Sequence, residues 1–417
     1  MGQANSRQQR LHELIDFARA YRGWSRLRTA EALGRDTTKL YPNTDNPKLD
    51  LVTALASVLD WSIDDIVAYI RQDERPAAGD IAADYETLDQ QARAAHCAGD
   101  FDQMLALAQQ MAIVAVTPEH RARAANREHG AWDGMGRYSN ALEAACRGLQ
   151  EAPIPTRRRL QLQTNLANTH YTLWELSSAL AHAHLVVEWY EEHPPTEPID
   201  QKNQAFAWYV RGHAYRRSAA QNEDAAPTYW RFAQRDLRTA RATYDHLAAS
   251  LNDDRLGGIA NTCAAGLIEV AVGAGELAPE KGVGQLIDML ENAVDLERVA
   301  GDWLESYGWA CIFGANIALR RLKGRPLQQS MAIFTNKALD IAERLDHWAL
   351  RERVFSMQYE LHEALSAETG LKLPYMIDDE EKKLITGTMG RFPTFRRTGW
   401  MIFQTARLAS GRVNGHV

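Results

Sequence analysis

Three short turn segments recur at nearly constant spacing: Gly99-Asp100-Phe101, Gly136-Arg137-Tyr138 and Trp174-Glu175-Leu176 begin 37 and 38 residues apart. Each leads into an amphipathic run: Leu105, Ala108 and Met111; then Ala141, Leu142, Ala145 and Leu149; then Ala179, Ala183 and Val186. Apolar residues three and four apart mark one stripe of an α-helix. A helical hairpin of this size cannot bury its stripe alone, so neighbouring copies must stack, which supplies a core and leaves a concave inner surface. Looser units follow, with Gly212-His213-Ala214-Tyr215 before a long helix from Tyr229 to Ala249, then Gly258 to Ala274, then Tyr307 to Lys323 and Pro326 to Asp346.

Helix-forming Ala, Leu, Arg, Glu and Gln dominate the chain, and Val/Ile/Thr runs of period two are nearly absent, so the fold is expected to be all-α. No uninterrupted apolar run reaches the roughly 18 residues of a membrane helix, and Met1 to Arg10 lacks the apolar centre of a secretory signal. Cys97, Cys146, Cys263 and Cys311 form no C-x-x-C pair and lie among Ala, Leu or Ile, which predicts buried thiols in a reducing, cytoplasmic compartment. Met1-Gly2-Gln3-Ala4-Asn5-Ser6 matches an N-myristoylation pattern, with a frayed N-terminal tip as the plainer reading.

Charge divides the chain. The polar stretch Arg71 to Asp80 carries Pro76 and Gly79; residues 1–75 are net neutral, so the whole net charge of −7 falls beyond Arg75. The expected layout is a head at 1–72, a linker at 73–83, a helical repeat domain at 84–409 and a flexible tail at 410–417. Up to Tyr41 the head carries eight basic residues against four acidic ones; from Pro42 to Arg75 acidic residues prevail. Such polarity gives a face for phosphates, or an ordinary solvated surface.

The head reads as short helices. Arg7 to Tyr21 places Leu11, Leu14, Ile15 and Ala18 on one face, Ser25 caps a helix running to Leu33 and stopped by Gly34, Asp50 starts another, and Ser62 with Asp65 forms a capping box for the last. Arg22-Gly23-Trp24-Ser25, Thr29-Ala30-Glu31-Ala32-Leu33-Gly34, Asn46-Pro47-Lys48-Leu49 and Leu59-Asp60-Trp61-Ser62-Ile63-Asp64-Asp65-Ile66-Val67 occur in an order and spacing that resembles the lambda-repressor-like, Cro-type (XRE) helix-turn-helix domain over residues 8–70. The resemblance implies a five-helix bundle whose third helix lies in the major groove of double-stranded DNA. It would start near Asp36 and present Thr37, Thr38, Lys39 and Tyr41, with Arg26, Arg28 and Arg35 positioned on the phosphate backbone. Here the stretch from Gly34 to Asn46 is about three residues shorter than the family pattern, and Pro42 truncates the helix. From Asp36 to Pro42 it offers no Arg, Gln or Asn for bidentate base contacts.

Beyond the linker, about six or seven hairpins resemble degenerate tetratricopeptide (TPR) repeats, an α-solenoid, their spacing slightly above that family's 34 residues. The first helix of each hairpin faces inward. Asn165, Asn168 and Tyr171 form a polar stripe with Gln161, and neighbouring units add Asn126 and Arg127, then Tyr209, His213 and Arg216, then Asn261. Amides offer a donor and an acceptor together, which suits an extended peptide, and the arginines suit an acidic ligand; a solvated helix face would look the same. The tryptophans of this region are expected between helices. Near the end, Arg391-Phe392-Pro393-Thr394-Phe395-Arg396-Arg397 mixes aromatic and basic residues, as either a second nucleic-acid contact or a capping helix with solvated arginines.

Catalytic patterns are missing from the sequence. His182 and His184 point about 200° apart on a helix and cannot share a metal, no H-E-x-x-H or phosphate-loop motif exists, and Gly273-Ala274-Gly275 lacks its third glycine. The expectation is therefore no enzyme, no cofactor and no metal. The order of domains resembles the RRNPP group of bacterial regulators, which implies a homodimeric, peptide- or protein-responsive transcription regulator with two heads about 34 Å apart on DNA and no membrane partner. The alternative is a TPR-type interaction scaffold whose head no longer binds DNA.

Overall fold

The computed structural model describes residues 7–71, 83–291, 298–370 and 375–408. The chain divides into two compact units, Met1–Ala82 and Ala83–Val417. The acylation pattern at the N-terminus, the linker up to residue 82 and the tail from 410 lie outside the described residues.

The first unit holds α1 (Arg7–Arg22), α2 (Arg26–Ala32), a 3-10 turn (Thr37–Lys39), α3 (Leu49–Leu59) and α4 (Ile63–Ile70). Leu11, Leu14, Ile15 and Ala18 of α1 are fully buried, with Leu40, Leu55 and Ile66 closing the core. Two arginines of α1 finish other helices: Arg10 Nε donates to Ile70 O at 3.1 Å and Arg22 Nε to Val58 O at 2.8 Å. A cation at a helix C-terminus satisfies carbonyls that have no helical partner. Ser25 caps α2, and Ser62 with Asp65 forms the expected box. The expected third helix is instead the single 3-10 turn, so among the described residues the bundle has four α-helices. The residue before a proline is pushed out of the α region, so Tyr41 cannot continue a helix toward Pro42. Pro42 is buried and its carbonyl accepts from Gln8 Nε2 and His12 Nε2, which pins the truncation to α1.

The second unit is a stack of antiparallel helical hairpins: α5 (Tyr85–Ala98) with α6 (Phe101–Val114), α7 (Pro118–Gly134) with α8 (Tyr138–Gln150), α9 (Thr156–Thr172) with α10 (Leu176–Glu192), α11 (Pro198–Ala219) with α12 (Ala226–Leu251), α13 (Arg255–Gly273) with α14 (Pro279–Glu291), α15 (Gly301–Arg321) with α16 (Gly324–Arg344), and α17 (Trp348–Thr369) with α18 (Asp379–Arg391). The helix α19 (Arg396–Thr405) closes it. The three recurring turns are left-handed alike, at Gly99 (φ 74°), Gly136 (φ 68°) and Trp174 (φ 68°). A tryptophan tolerates that conformation poorly, and its ring is held in compensation: the guanidinium carbons of Arg217 and Arg353 lie 4.1 and 4.5 Å from its centroid, and Nε1 donates to Glu352 Oε2 at 3.3 Å.

That last bond joins the third hairpin to the seventh. Tyr138 packs on Phe392 with ring centroids 5.1 Å apart, and Trp348 lies against Gly136. The stack therefore curls on itself, and the concave surface becomes the wall of an interior cavity. The inner helices are also sewn together by a buried polar network. Arg216 on α11 donates to Glu269 on α13 at 2.6 Å and to the Tyr171 hydroxyl on α9 at 3.3 Å, and Asn316 on α15 donates to the same Glu269 oxygen at 3.2 Å. Arg211 pairs with Asp236 through two bonds of 2.6 and 3.0 Å, equally buried.

One expectation changes. Cys97 is exposed and Cys146 half-buried; only Cys263 and Cys311 are buried, and all four are free. A short parallel pair, β1 (Tyr375–Ile377) with β2 (Ala406–Leu408), ties the C-terminal segment down; apart from it every element among the described residues is helical. The aromatic-basic segment buries Phe392 and Phe395 and spends Arg396 on Met389 O, so it is a capping element. Among the described residues α13 is long and apolar enough to cross a membrane by composition, although it packs between α12 and α15.

The start of α15 approaches α13 so closely that a Cβ on Gly258 would lie 2.6 Å from the Asp302 carbonyl carbon and 2.7 Å from the Trp303 nitrogen. Backbone cannot yield as a flexible side chain does, so Gly258→Ala is expected to cost about 1–3 kcal/mol, read as a lowered melting temperature by calorimetry. An unchanged melting temperature would show that the two helices do not meet this closely.

Candidate functional site

Two places collect the sequence candidates. On the first unit the 3-10 turn is capped by Asp36, whose Oδ1 accepts from the Thr38 amide at 2.7 Å and the Thr38 hydroxyl at 2.5 Å. Those bonds hold the Asp36 carboxyl below its ordinary pKa. Two guanidinium groups brace the turn from either side: Arg26 Nε donates to Thr37 O at 3.2 Å and Arg35 Nε to Lys39 O at 2.8 Å. Among the described residues Arg26, Arg35 and Lys39 have no carboxylate partner, whereas Arg28 pairs with Glu31 at 3.4 Å in solvent. Three cations without an ion-pair contact among the described residues thus surround one short turn, with Asp36 as its own carboxylate near enough to attract Lys39. Thr37 is half-buried, Thr38 and Lys39 are exposed, and Thr38 has its hydroxyl committed to Asp36. Tyr41 is committed too, donating to Asp16 and accepting from Arg19 at 3.0 Å.

In the second unit a cavity of about 650 Å³ lies inside the curl. Asn126, Arg127, Asn165, Asn168, Tyr171 and Tyr209 all line it. Asn165 Nδ2 donates to Asn126 Oδ1 at 2.9 Å, so these two amides are already paired. Arg127 donates to Asp89 at 2.6 Å, and that carboxylate is 2% exposed. Arg216 and Asn261 do not line the cavity: Arg216 is buried in the Glu269 network and Asn261 donates to Ser306 Oγ at 2.9 Å. Helical spacing assigns a residue to a face; it does not reveal that a neighbouring helix supplies a buried partner.

The opposite wall comes from α15 and the start of α17, where nothing in the sequence pattern marked a site. It adds Asp302, Glu305, Trp309, Asp346 and His347, with Asp133 from the end of α7. Burial pushes Glu305 up, but His347 Nε2 at 3.2 Å and Trp309 Nε1 at 2.9 Å outweigh it and hold the carboxyl below its ordinary value. The same contact raises His347 despite its burial. Burial and Glu305 both push Asp302 up. Asp133 is pushed up to about 6 by burial, with Glu305 adding to the rise and His347 opposing it. Both arginines that would have drawn an acidic ligand are neutralised, and the cavity wall is acid-rich. Among the described residues no three His, Cys, Asp or Glu side chains group to hold a metal ion.

No protein-family model matches the chain, and no curated protein does. Among solved structures it is similar to Bacillus thuringiensis PlcR, solved in complex with the peptide PapR7 and DNA, at 11% identity and a TM-score of 0.33, the alignment covering 84% of this chain and 99% of that one. The functional reading rests on the geometry of the two units.

A carboxyl raised in the folded state binds its proton more tightly there than in the unfolded chain, so its contribution to stability is lost as pH rises through about 6. Asp133→Asn removes that loss. The variant is expected to be more stable than wild type by about 1–2 kcal/mol at pH 7.5, the gap closing toward pH 4, by thermal unfolding at both pH values. A destabilised variant at pH 7.5 would mean that the carboxylate is paired.

Proposed function

We propose that the chain is a DNA-binding transcription regulator of the cytoplasm, its head (1–72) on double-stranded DNA and its repeat domain (84–409) sensing a peptide. The observation that carries this reading is the Asp36-capped turn with Arg26, Arg35 and Lys39 unpaired around it. Cations without carboxylate partners on an exposed turn are what phosphate contact requires. With so little bidentate hardware, most affinity comes from the backbone, and sequence choice falls to Thr37, Lys39 and the shape of the duplex. A homodimer would then gain its discrimination from the spacing of two heads. The ligand regulates if it binds one head arrangement better than another, a population shift.

A second reading is an interaction scaffold with an inert head. It is favoured by the loss of the third helix to a 3-10 turn and by the engagement of Thr38 and Tyr41 within the head.

Electrophoretic shift of the protein's own upstream DNA across a salt series separates them. Three phosphate contacts on each of two heads give a slope of log K against log salt of about −5, and Arg35→Ala should reduce its magnitude by about 2. Retention that is equally weak on an unrelated duplex and indifferent to Arg35→Ala would establish the scaffold reading.

A further inference from the structure

The cavity's charge is lopsided. Asp133, Asp302, Glu305 and Asp346 lie on its wall; Asp346 meets Arg351 Nη1 at 2.5 Å and Glu305 meets His347 Nε2 at 3.2 Å, while Asp133 and Asp302 have no ion-pair partner among the described residues. Asp133 Oδ1 is closed to solvent with no hydrogen-bond donor among the described residues. Glu305 receives both of its donors, Trp309 Nε1 and His347 Nε2, on Oε1. Arg127, the cation nearest the amide wall, is spent on Asp89. A buried carboxylate oxygen without a donor is costly, and a positive charge placed in the cavity beside it offsets that cost. Among the described residues no three His, Cys, Asp or Glu side chains group as they would for a metal ion. Trp309 and Tyr138 line the same end, and aromatic faces beside carboxylates suit an organic cation.

We infer that the cavity of the repeat domain takes a ligand bearing an alkylammonium group, seated between Asp133, Asp302 and Glu305 beside Trp309, with the rest of the ligand along Asn126, Asn165 and Asn168. This rests on the reading of the cavity as the sensor site and supplies the chemical class of its ligand. The ammonium donates to Glu305 Oε2, which has no protein donor among the described residues, with the carboxyls of Asp133 and Asp302 close enough to add their charge. The amide wall then faces whatever chain carries the ammonium. The two sources of such a group, a lysine-bearing peptide and a free polyamine, share this end of the cavity and differ only at the amides.

Titration calorimetry on the full chain at about 150 mM salt tests this, with trilysine amide, spermidine and triglutamate as probes. Saturable binding of trilysine or spermidine is expected, weakened at least tenfold in Asp133→Asn/Glu305→Gln and unchanged in Asp288→Asn, an exposed acid outside the cavity. The carboxamides keep the shape of the carboxylates, and a melting temperature no lower than wild type confirms that the double variant folds. If Asn165→Ala/Asn168→Ala weakens trilysine alone, the ligand is a peptide; if spermidine binds tighter and ignores those amides, it is a polyamine. Cation binding that the double variant leaves unchanged, binding of triglutamate only, or no binding of either cation up to about 5 mM overturns the inference. Cation binding as expected without a shift of upstream DNA would overturn the regulator reading and leave this one standing; the converse would do the opposite.

Discussion

The ion pair between Arg216 and Glu269 holds the inner wall of the repeat domain together. Both side chains are nearly sealed from water, at 2% and 4% exposure, and Glu269 is faced by a second guanidinium, Arg320 Nη1 at 3.5 Å. Removing one partner of such a pair costs about 3–5 kcal/mol, chiefly for the charge left behind. Through the Tyr171 hydroxyl and Asn316 the pair links the first helices of four successive hairpins, α9, α11, α13 and α15. A stack of hairpins is otherwise held by nearest-neighbour contacts, each free to vary in twist. Here a shared carboxylate fixes several neighbours at once, and Tyr171 carries that order to the cavity surface.

Closure of the curl depends on a second set of contacts, those of Trp174. Its left-handed backbone is the strained copy of a turn that glycine makes freely at Gly99 and Gly136. Arg353 over its ring and Glu352 on its indole bring the seventh hairpin against the third, and Arg217 over the same ring ties in the fourth. The strain is offset by the contact that curls the groove around a partly open cavity, where reduced solvent access strengthens the field of a few carboxylates. Among the described residues the two units thus hold charge of opposite kinds: cations without ion-pair partners around the Asp36 turn, and on the cavity wall a cluster of carboxylates of which Asp133 and Asp302 have none.

Local signals were readable from the sequence. Ser25, the Ser62–Asp65 box, the apolar stripe of α1 and the three recurring turns each follow from residues within a helical turn of one another, where capping and periodicity act. The shortening caused by Pro42 was readable for the same reason, although its outcome as a 3-10 turn was not. Six of the eight candidate ligand residues line one cavity, because the inward stripe of a TPR-like helix is a local property. Arg216 and Asn261 were misplaced because their partners, Glu269 and Ser306, lie 53 and 45 residues away. The acidic wall was invisible altogether: Asp133 and Glu305 meet only because the stack curls, and curvature accumulates from small rotations that no single repeat reveals.

The central claim is that the state of the cavity governs the grip of the head on DNA. Its most direct test is fluorescence anisotropy of the upstream duplex titrated with wild type and with Asn168→Trp, whose ring would fill the cavity from the amide wall. Coupling between sites amounts to about 1–3 kcal/mol where it exists, so the account predicts a DNA affinity changed at least fivefold with the melting temperature retained. Identical titration curves from a variant whose cavity is shown to be filled would contradict it.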